Sequence, residues 1–313
     1  MNILIAGGSG FIGSHLTRHF LNKNDHVTVL DNYITGSKHN LEDVTKNPLL
    51  TIINADLVTH KFANIMYDRV YQLASPASPI QYKRYPVETL MVNSVGTKNL
   101  LDMMVKTGSR RFALASTSEV YGDPLEHPQK ESYFGNVNPN GERSCYDEGK
   151  RFAESITMTY ARIHGLDVRI ARIFNTYGPY MDVLDGRVVS NFIVQALRNE
   201  PITMFGDGRQ TRSFCHVSDM VRAFDLLGSV EGIDGEVINL GNPNERDMNE
   251  LANTIISLTK STSSITHLPQ TADDPKKRKP DISKAKKLLN WEPTVELNDG
   301  LVDTIGYFAR HIS

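Results

Sequence analysis

Short apolar runs alternate with longer segments of helical periodicity over the first half of the chain. Asn2-Ile3-Leu4-Ile5-Ala6 has strand character, and a helical pattern begins at Ser14-His15-Leu16. Val27-Thr28-Val29-Leu30 is a second strand ending at Asp31. Thr51 to Asp56 reads as a third, and Asp68 to Ala74 as a fourth that ends in small residues. A helix follows from about Pro86 to Thr107, then the strand Arg111 to Ala115. A helix carrying Tyr146 runs to about His164, and Val168 to Arg172 is the next strand. This alternation predicts an α/β fold: a doubly wound parallel (Rossmann) sheet with ligands at the carboxyl ends of its strands.

The pattern changes after Gly178-Pro179. Residues 179–212 are mixed and glycine-punctuated, whereas Glu236 to Leu240 looks like a strand returning to the sheet. Asn249 to about Lys260 reads as a surface helix, 261–280 as a polar stretch bounded by prolines, and Ile282 to Leu289 as helix again. The expected division is a cofactor-binding domain over 1–178, with a returning segment at about 213–242. A smaller, discontinuous α/β domain over 179–212 and 243–313 would cover the cleft.

Between the first strand and its helix stands Gly7-Gly8-Ser9-Gly10-Phe11-Ile12-Gly13. Glycines let a backbone approach a pyrophosphate, and the helix N-terminus offers free N–H groups and a positive dipole end. Asp31, one strand later, can accept hydrogen bonds from a ribose diol and repels a 2′-phosphate, which predicts NAD rather than NADP. The cofactor candidates are Gly7, Gly10, Phe11 and Ile12, then Asp31 with Asn32, Asp56 with Leu57, and Leu73, Ala74 and Ser75.

The chemistry lies in two further segments. Ala115-Ser116-Thr117-Ser118-Glu119-Val120-Tyr121-Gly122 leaves the fifth strand, and Tyr146-Asp147-Glu148-Gly149-Lys150 follows. Tyr146 and Lys150 are spaced i and i+4, so they share a helix face. A lysine cation beside a phenol favours the phenolate and lowers its pKa from near ten. With a hydroxyl from Thr117, that trio can take a proton from a sugar hydroxyl while a nicotinamide accepts the hydride.

Composition narrows the partners. The 313 residues are 40% hydrophobic and 22% charged, with a formal net charge of -2, so neither nucleic acid nor an anionic membrane is expected. Cys145 and Cys215 make no disulfide framework and suit a reducing compartment; Cys145 reads as a small helix residue facing the core. The ten histidines show no ligand spacing, so no metal is expected. No apolar run reaches the ~18 residues that span a bilayer, and the first strand begins too early for a signal peptide. A soluble, cytoplasmic protein is the expectation.

These motifs resemble the extended short-chain dehydrogenases that modify nucleotide sugars, and among them the branch that decarboxylates UDP-glucuronate to UDP-xylose. The similarity runs through the glycine turn, Leu73-Ala74-Ser75-Pro76-Ala77-Ser78-Pro79, the Thr117 and Tyr146 segments, Ala171 to Pro179, Asp185 to Phe192, and Asp273-Asp274-Pro275-Lys276-Lys277-Arg278-Lys279-Pro280-Asp281. The resemblance makes Thr117, Tyr146 and Lys150 the hydride-transfer machinery. It puts Glu119 near sugar carbon 5, orienting the ring or a water, and Arg278 against the sugar carboxylate. It gives Ser118, Asn175, Asn191 and Arg212 to the nucleotide sugar, with Arg212 on the pyrophosphate. Dehydratase relatives carry Asp-Glu where this chain has Ser118-Glu119, which speaks against water elimination, and epimerases usually lack the acid. A 4-keto uronate is a β-keto acid, so losing carbon dioxide leaves a stabilised enolate.

The resemblance also implies a homodimer through a four-helix bundle, with Met91-Val92, Val95, Met103-Met104, Ile156, Met158-Thr159 and Ile163 as the candidate face. The chain departs from the family at Gln72, usually His, and at Tyr180-Met181-Asp182, where Arg and then Met-His are usual. The alternatives are a decarboxylase that releases the 4-keto pentose and NADH, a 4-epimerase, and a binding protein that has lost catalysis.

Overall fold

A computed structural model describes residues 1–269 and 277–312. Seven parallel strands form its central sheet: β1 (Asn2–Ala6), β2 (His26–Asp31), β3 (Leu50–Asn54), β4 (Arg69–Gln72), β5 (Arg111–Thr117), β6 (Asp167–Ile173) and β7 (Val237–Leu240). Their order is β7-β6-β5-β4-β1-β2-β3. The apolar runs become strands because the inner ones are covered on both faces; in β5 every residue after Arg111 is buried. The winding reverses between β1 and β4, where Ile3 pairs with Val27 on one side and Arg69 on the other. A crevice opens at the carboxyl ends of the strands there.

Helices cover both faces. On one, Leu16 and Phe20 of helix Phe11–Asn22 pack with Phe224 and Leu227 of helix Val217–Ser229. Helix Ser283–Leu289 and the fully buried Trp291 join this layer, with the indole N–H donating to Asp219 O at 3.0 Å. On the other face, Leu100 and Met104 pack with Ala153 of helix Ser144–His164. The stretch expected as one helix from Pro86 to Thr107 is helical throughout but contains a π-helical turn, Val92–Gly96, between helices Pro86–Met91 and Thr97–Thr107. That turn buries Asn93, whose amide donates to Ser75 Oγ at 2.9 Å.

One expected surface is corrected. Met103 and Met104 point into the core, because helix Thr97–Thr107 turns them onto the sheet. The apolar side chains left exposed on these helices are Val87, Leu90, Met91 and Val105, with Phe152 and Ile163 on the Tyr146 helix.

A second core gathers Tyr177, Phe192 and Ile193 with Leu251, Ile255, Leu301 and Phe308. It is built on helices Val188–Leu197, Met248–Thr259 and Leu297–Ala309. The polar 261–280 stretch contributes two strands. Ile265–Leu268 pairs with Ile202–Phe205, and Lys277–Arg278 pairs with Thr211–Ser213, putting Arg278 opposite Arg212. Asp273, Asp274 and Pro275 lie outside the described residues. Among the described residues, no helix is long and apolar enough to cross a membrane.

Candidate active site

The glycine turn leaves β1 and enters helix Phe11–Asn22. Gly7 has φ +80°, and a Cβ there would lie 2.6 Å from Ala74 N. A Cβ on Gly13 would lie 2.1 Å from Gly7 O. Helix, turn and the Leu73-Ala74 segment that follows β4 are therefore packed backbone to backbone, which only glycine permits. Gly10 is different, since its Cβ would meet only Gly7 O, at 3.3 Å. It precedes the helix without a side-chain cap, so the first helical N–H groups remain available to an anion.

Asp31 ends β2 beside this turn. Its carboxylate accepts from Ser9 N and Tyr33 N, each at 2.9 Å. Burial pushes the carboxyl above its ordinary range while the two backbone donors oppose that. A Cβ on Gly36 would come within 3.0 Å of Asp31 Oδ1, so glycine keeps space open at the carboxylate. Asn32 donates to Asp56 Oδ2 at 3.3 Å, and Asp56 Oδ1 caps the turn at Val58 N. This cradle fits an adenosine diphosphate: a tight glycine turn, a free helix start and an acid placed for a diol. Gly7, Gly10, Phe11, Ile12, Leu73 and Ser75 line a cavity of about 1000 Å³. Asp31, Asn32, Asp56, Leu57 and Ala74 do not form its wall.

The same cavity brings together Thr117, Ser118, Glu119, Tyr146, Lys150, Asn175, Asn191, Arg212 and Arg278. Thr117 closes β5, and its Oγ accepts from Glu119 N at 3.2 Å, starting the short 3₁₀ turn Ser118–Tyr121. Tyr146 and Lys150 sit one turn apart on helix Ser144–His164. Lys150 Nζ donates to Ala115 O at 2.8 Å and lies 5.8 Å from the centre of the Tyr146 ring.

The expected lowering of the phenol pKa is corrected here. Burial pushes Tyr146 up to about 12, and the Thr117 hydrogen bond only partly offsets this. Burial also drives Lys150 down to about 7, so its cation is weakened at the point where it was expected to act. The desolvation has a visible source. Tyr82 stacks on Tyr146 with ring centres 5.2 Å apart and planes at 8°.

Glu119 is held by two guanidiniums. Arg278 grips it with both terminal nitrogens, NH2 at 3.0 Å from Oε2, and Arg143 reaches the same Oε2. Burial would raise its pKa, but Arg278 and Arg143 hold the carboxyl below its ordinary range. Arg278 Nε is buried and has no hydrogen-bond partner among the described residues. Asn191 donates to Gly186 O at 2.9 Å, and Arg212, nearly buried, donates to Thr211 O at 2.9 Å.

Tyr82, Arg143 and Arg187 also line this cavity and were not among the candidate site residues named from the sequence. Arg187 is half-buried and donates to Asp185 Oδ2 at 3.0 Å, and its charge acts on Tyr146. The Asp185-Gly186-Arg187 segment carried a signal for it. Arg143, three residues before Tyr146, and Tyr82, in a different helix, carried none.

A doubly wound sheet whose glycine turn faces a helical tyrosine–lysine pair across one cavity defines a nicotinamide-dependent enzyme of the short-chain dehydrogenase kind. The chain belongs to the NAD dependent epimerase/dehydratase family, whose model matches residues 3–241. It is 52% identical over 312 residues to UDP-glucuronic acid decarboxylase 1 of Arabidopsis thaliana, covering 100% of this chain and 71% of that one. It is 55% identical over 302 residues to UDP-glucuronic acid decarboxylase 3 of the same plant, covering 96% and 87%. Among solved structures it is similar to UDP-glucuronic acid 4-epimerase from Bacillus cereus in complex with UDP-glucuronic acid and NAD. That match has a TM-score of 0.90 at 28% identity, over 99% of this chain and 100% of that one. The family resemblance, the parallel fold and the NAD dependence are thereby borne out.

Proposed function

We propose that this chain decarboxylates UDP-glucuronate to UDP-xylose through a 4-keto intermediate, with NAD restored in each cycle. The observation that carries this is a carboxylate-binding guanidinium, Arg278, in the same cavity as Thr117, Tyr146 and Lys150. Identity above 50% to decarboxylases over the whole chain supports it.

NAD, held by the glycine turn and Asp31, supplies the acceptor and donor of hydride at sugar carbon 4. Tyr146 holds the proton of the 4-hydroxyl at its phenol oxygen and returns it, and Thr117 donates to the same sugar oxygen. With Thr117 turned to the sugar oxygen, the Arg187 charge favours the phenolate. Arg278 offers its free Nε–H to the sugar carboxylate, which fixes the carbon 5–carbon 6 bond for cleavage. As that bond breaks, its electron pair moves to the 4-keto oxygen, where Tyr146 and Thr117 donate to the developing charge. Glu119 stays ionised between its arginines, so it orients a water that protonates carbon 5 instead of giving up a proton itself. Ser118, Asn175, Asn191 and Arg212 hold the nucleotide sugar, Arg212 at the pyrophosphate.

In this reading the first core, 1–178 with about 213–242, binds the cofactor, and 179–212 with 243–313 binds the sugar nucleotide. Residues 282–291 are packed on the cofactor side. A homodimer would bury the exposed faces of the Pro86–Thr107 and Tyr146 helices, where Phe152 is 49% and Ile163 69% exposed. Light scattering before and after Phe152→Glu tests that.

The test of function is incubation with UDP-glucuronate without added NAD, following the nucleotide sugar and NADH absorbance. UDP-xylose without NADH accumulation is expected. A 4-keto pentose with NADH that appears only on adding NAD would assign the releasing class. Inversion at carbon 4 without loss of carbon dioxide would assign an epimerase.

A further inference from the structure

At the cavity mouth two histidines face each other. His39, in the loop after Asp31, and His311, just beyond helix Leu297–Ala309, have their Nε2 atoms 3.1 Å apart. Both line the cavity. Their other ring nitrogens decide what lies between them. His39 Nδ1 is 2.9 Å from Glu42 Oε2, and His311 Nδ1 is 2.7 Å from Tyr307 O. A carboxylate and a carbonyl only accept, so each Nδ1 must carry the proton. In a neutral ring Nε2 then bears only a lone pair. Neither histidine can donate to the other, and two lone pairs are directed at one point.

We propose that His39 and His311 bind a divalent transition-metal ion of the zinc class at the cavity mouth. Neutral imidazole is a ligand suited to such ions, and a carboxylate or carbonyl on the far nitrogen is the usual support for a metal-bound histidine. Two zinc–nitrogen bonds of about 2.0–2.1 Å at a tetrahedral angle separate the nitrogens by about 3.3 Å, close to the spacing found. The rings are held: His311 stacks on Tyr307 at 4.0 Å, 20° from parallel. They are also accessible, since the His39 side chain is 51% exposed. No group of three or more ligand-type side chains gathers among the described residues, so the pair would supply two ligands and leave the other positions to solvent. Because His39 and His311 are far apart in the chain, their pairing has no sequence spacing to betray it. An ion here joins the cofactor loop to the C-terminal helix.

The test is calorimetric titration of untagged, NAD-loaded protein with zinc chloride, a readout independent of turnover and of the sugar reaction. One equivalent should bind with micromolar affinity. His39→Gln and His311→Gln should each weaken it at least tenfold, and Glu42→Gln, which leaves both ligands in place, by a smaller but measurable factor. Unchanged melting temperatures without zinc would establish that the variants are folded. Absence of binding would show that a shared proton alone holds the pair. That result, binding that survives either histidine substitution, or loss in only one of the two, overturns the site.

Discussion

Asp147 carries a charge that the fold accommodates poorly. It follows Tyr146, its Oδ1 is buried without a hydrogen-bond partner among the described residues, and only 6% of the residue is exposed. Burial first, then the negative charge of Glu119, push its carboxyl up to about 7, while Arg143 and Arg278 pull the other way. Between the ordinary value of 3.8 and about 7 the folded protein therefore binds more protons than the unfolded chain. Stability falls as pH rises through that window, and the full penalty applies above it. Asp147→Asn should stabilise the protein by about 2–4 kcal/mol at about pH 8, with the gain vanishing towards about pH 4. Urea melts at the two pH values measure this; a gain independent of pH would show that the carboxylate charge is not the cause. At this scale the sequence was informative where spacing encodes geometry. Tyr146 and Lys150 meet because a helix puts i and i+4 together. It was silent where the environment comes from elsewhere: the Tyr82 ring that desolvates Tyr146 and the Arg143 that shares Glu119 arrive by tertiary packing.

Among the elements, the glycine turn makes the sharpest demand. A Cβ on Gly13 would meet Gly7 O at 2.1 Å and Gly8 Cα at 2.8 Å, both backbone atoms that cannot swing aside. Gly13→Ala should push helix Phe11–Asn22 off β1, cost roughly 2 kcal/mol or more, and yield protein without NAD. Gly10→Ala, with one neighbour at 3.3 Å, should keep its stability within about 1 kcal/mol. Thermal melts and the NAD content of the two purified variants check this, and equal behaviour would refute the close-packing argument. The turn and the strands were legible because buried parallel strands are continuous apolar runs. Lys277–Arg278 was not legible as a strand, since two basic residues have no strand signature until Thr211–Ser213 lies beside them. The dimer-face assignment of Met103 and Met104 failed for a related reason. Periodicity finds the apolar stripe of a helix but not which stripe meets the sheet.

At the scale of the molecule, the departure at Tyr180 becomes a joint between the two cores. Tyr180 adopts φ +62°, rare for a non-glycine residue, and its ring is gripped from three sides. The Arg18 guanidinium lies 4.1 Å over its face, Tyr307 packs at 5.0 Å, and His15 meets its edge at 5.3 Å. Burial holds His15 down at about 4, so it is a neutral partner whose Nε2 lies 2.8 Å from Pro179 O. Arg18 also donates to Asn40 O at 2.6 Å and pairs with Asp43. Tyr180 and Arg18 together thus link the cofactor helix, the loop beyond Asp31 and the C-terminal helix at the cavity rim. Arg18 keeps a cation at that rim. Its contact with an aromatic face, together with the Tyr307 pair, is worth about 1–3 kcal/mol. Tyr180→Ala should therefore release NAD roughly tenfold faster or more, since each 1.4 kcal/mol is a factor of about ten. Tyr180→Phe, which keeps the ring, should not. Bound NAD remaining after dilution and gel filtration gives the rates directly. With UDP-glucuronate, Tyr180→Ala should also need added NAD and leak some 4-keto pentose with NADH, because the cofactor departs before the hydride is returned. An alanine variant that keeps its NAD as long as the parent would show that the rim does not govern retention, and that the glycine cradle and Asp31 do so alone.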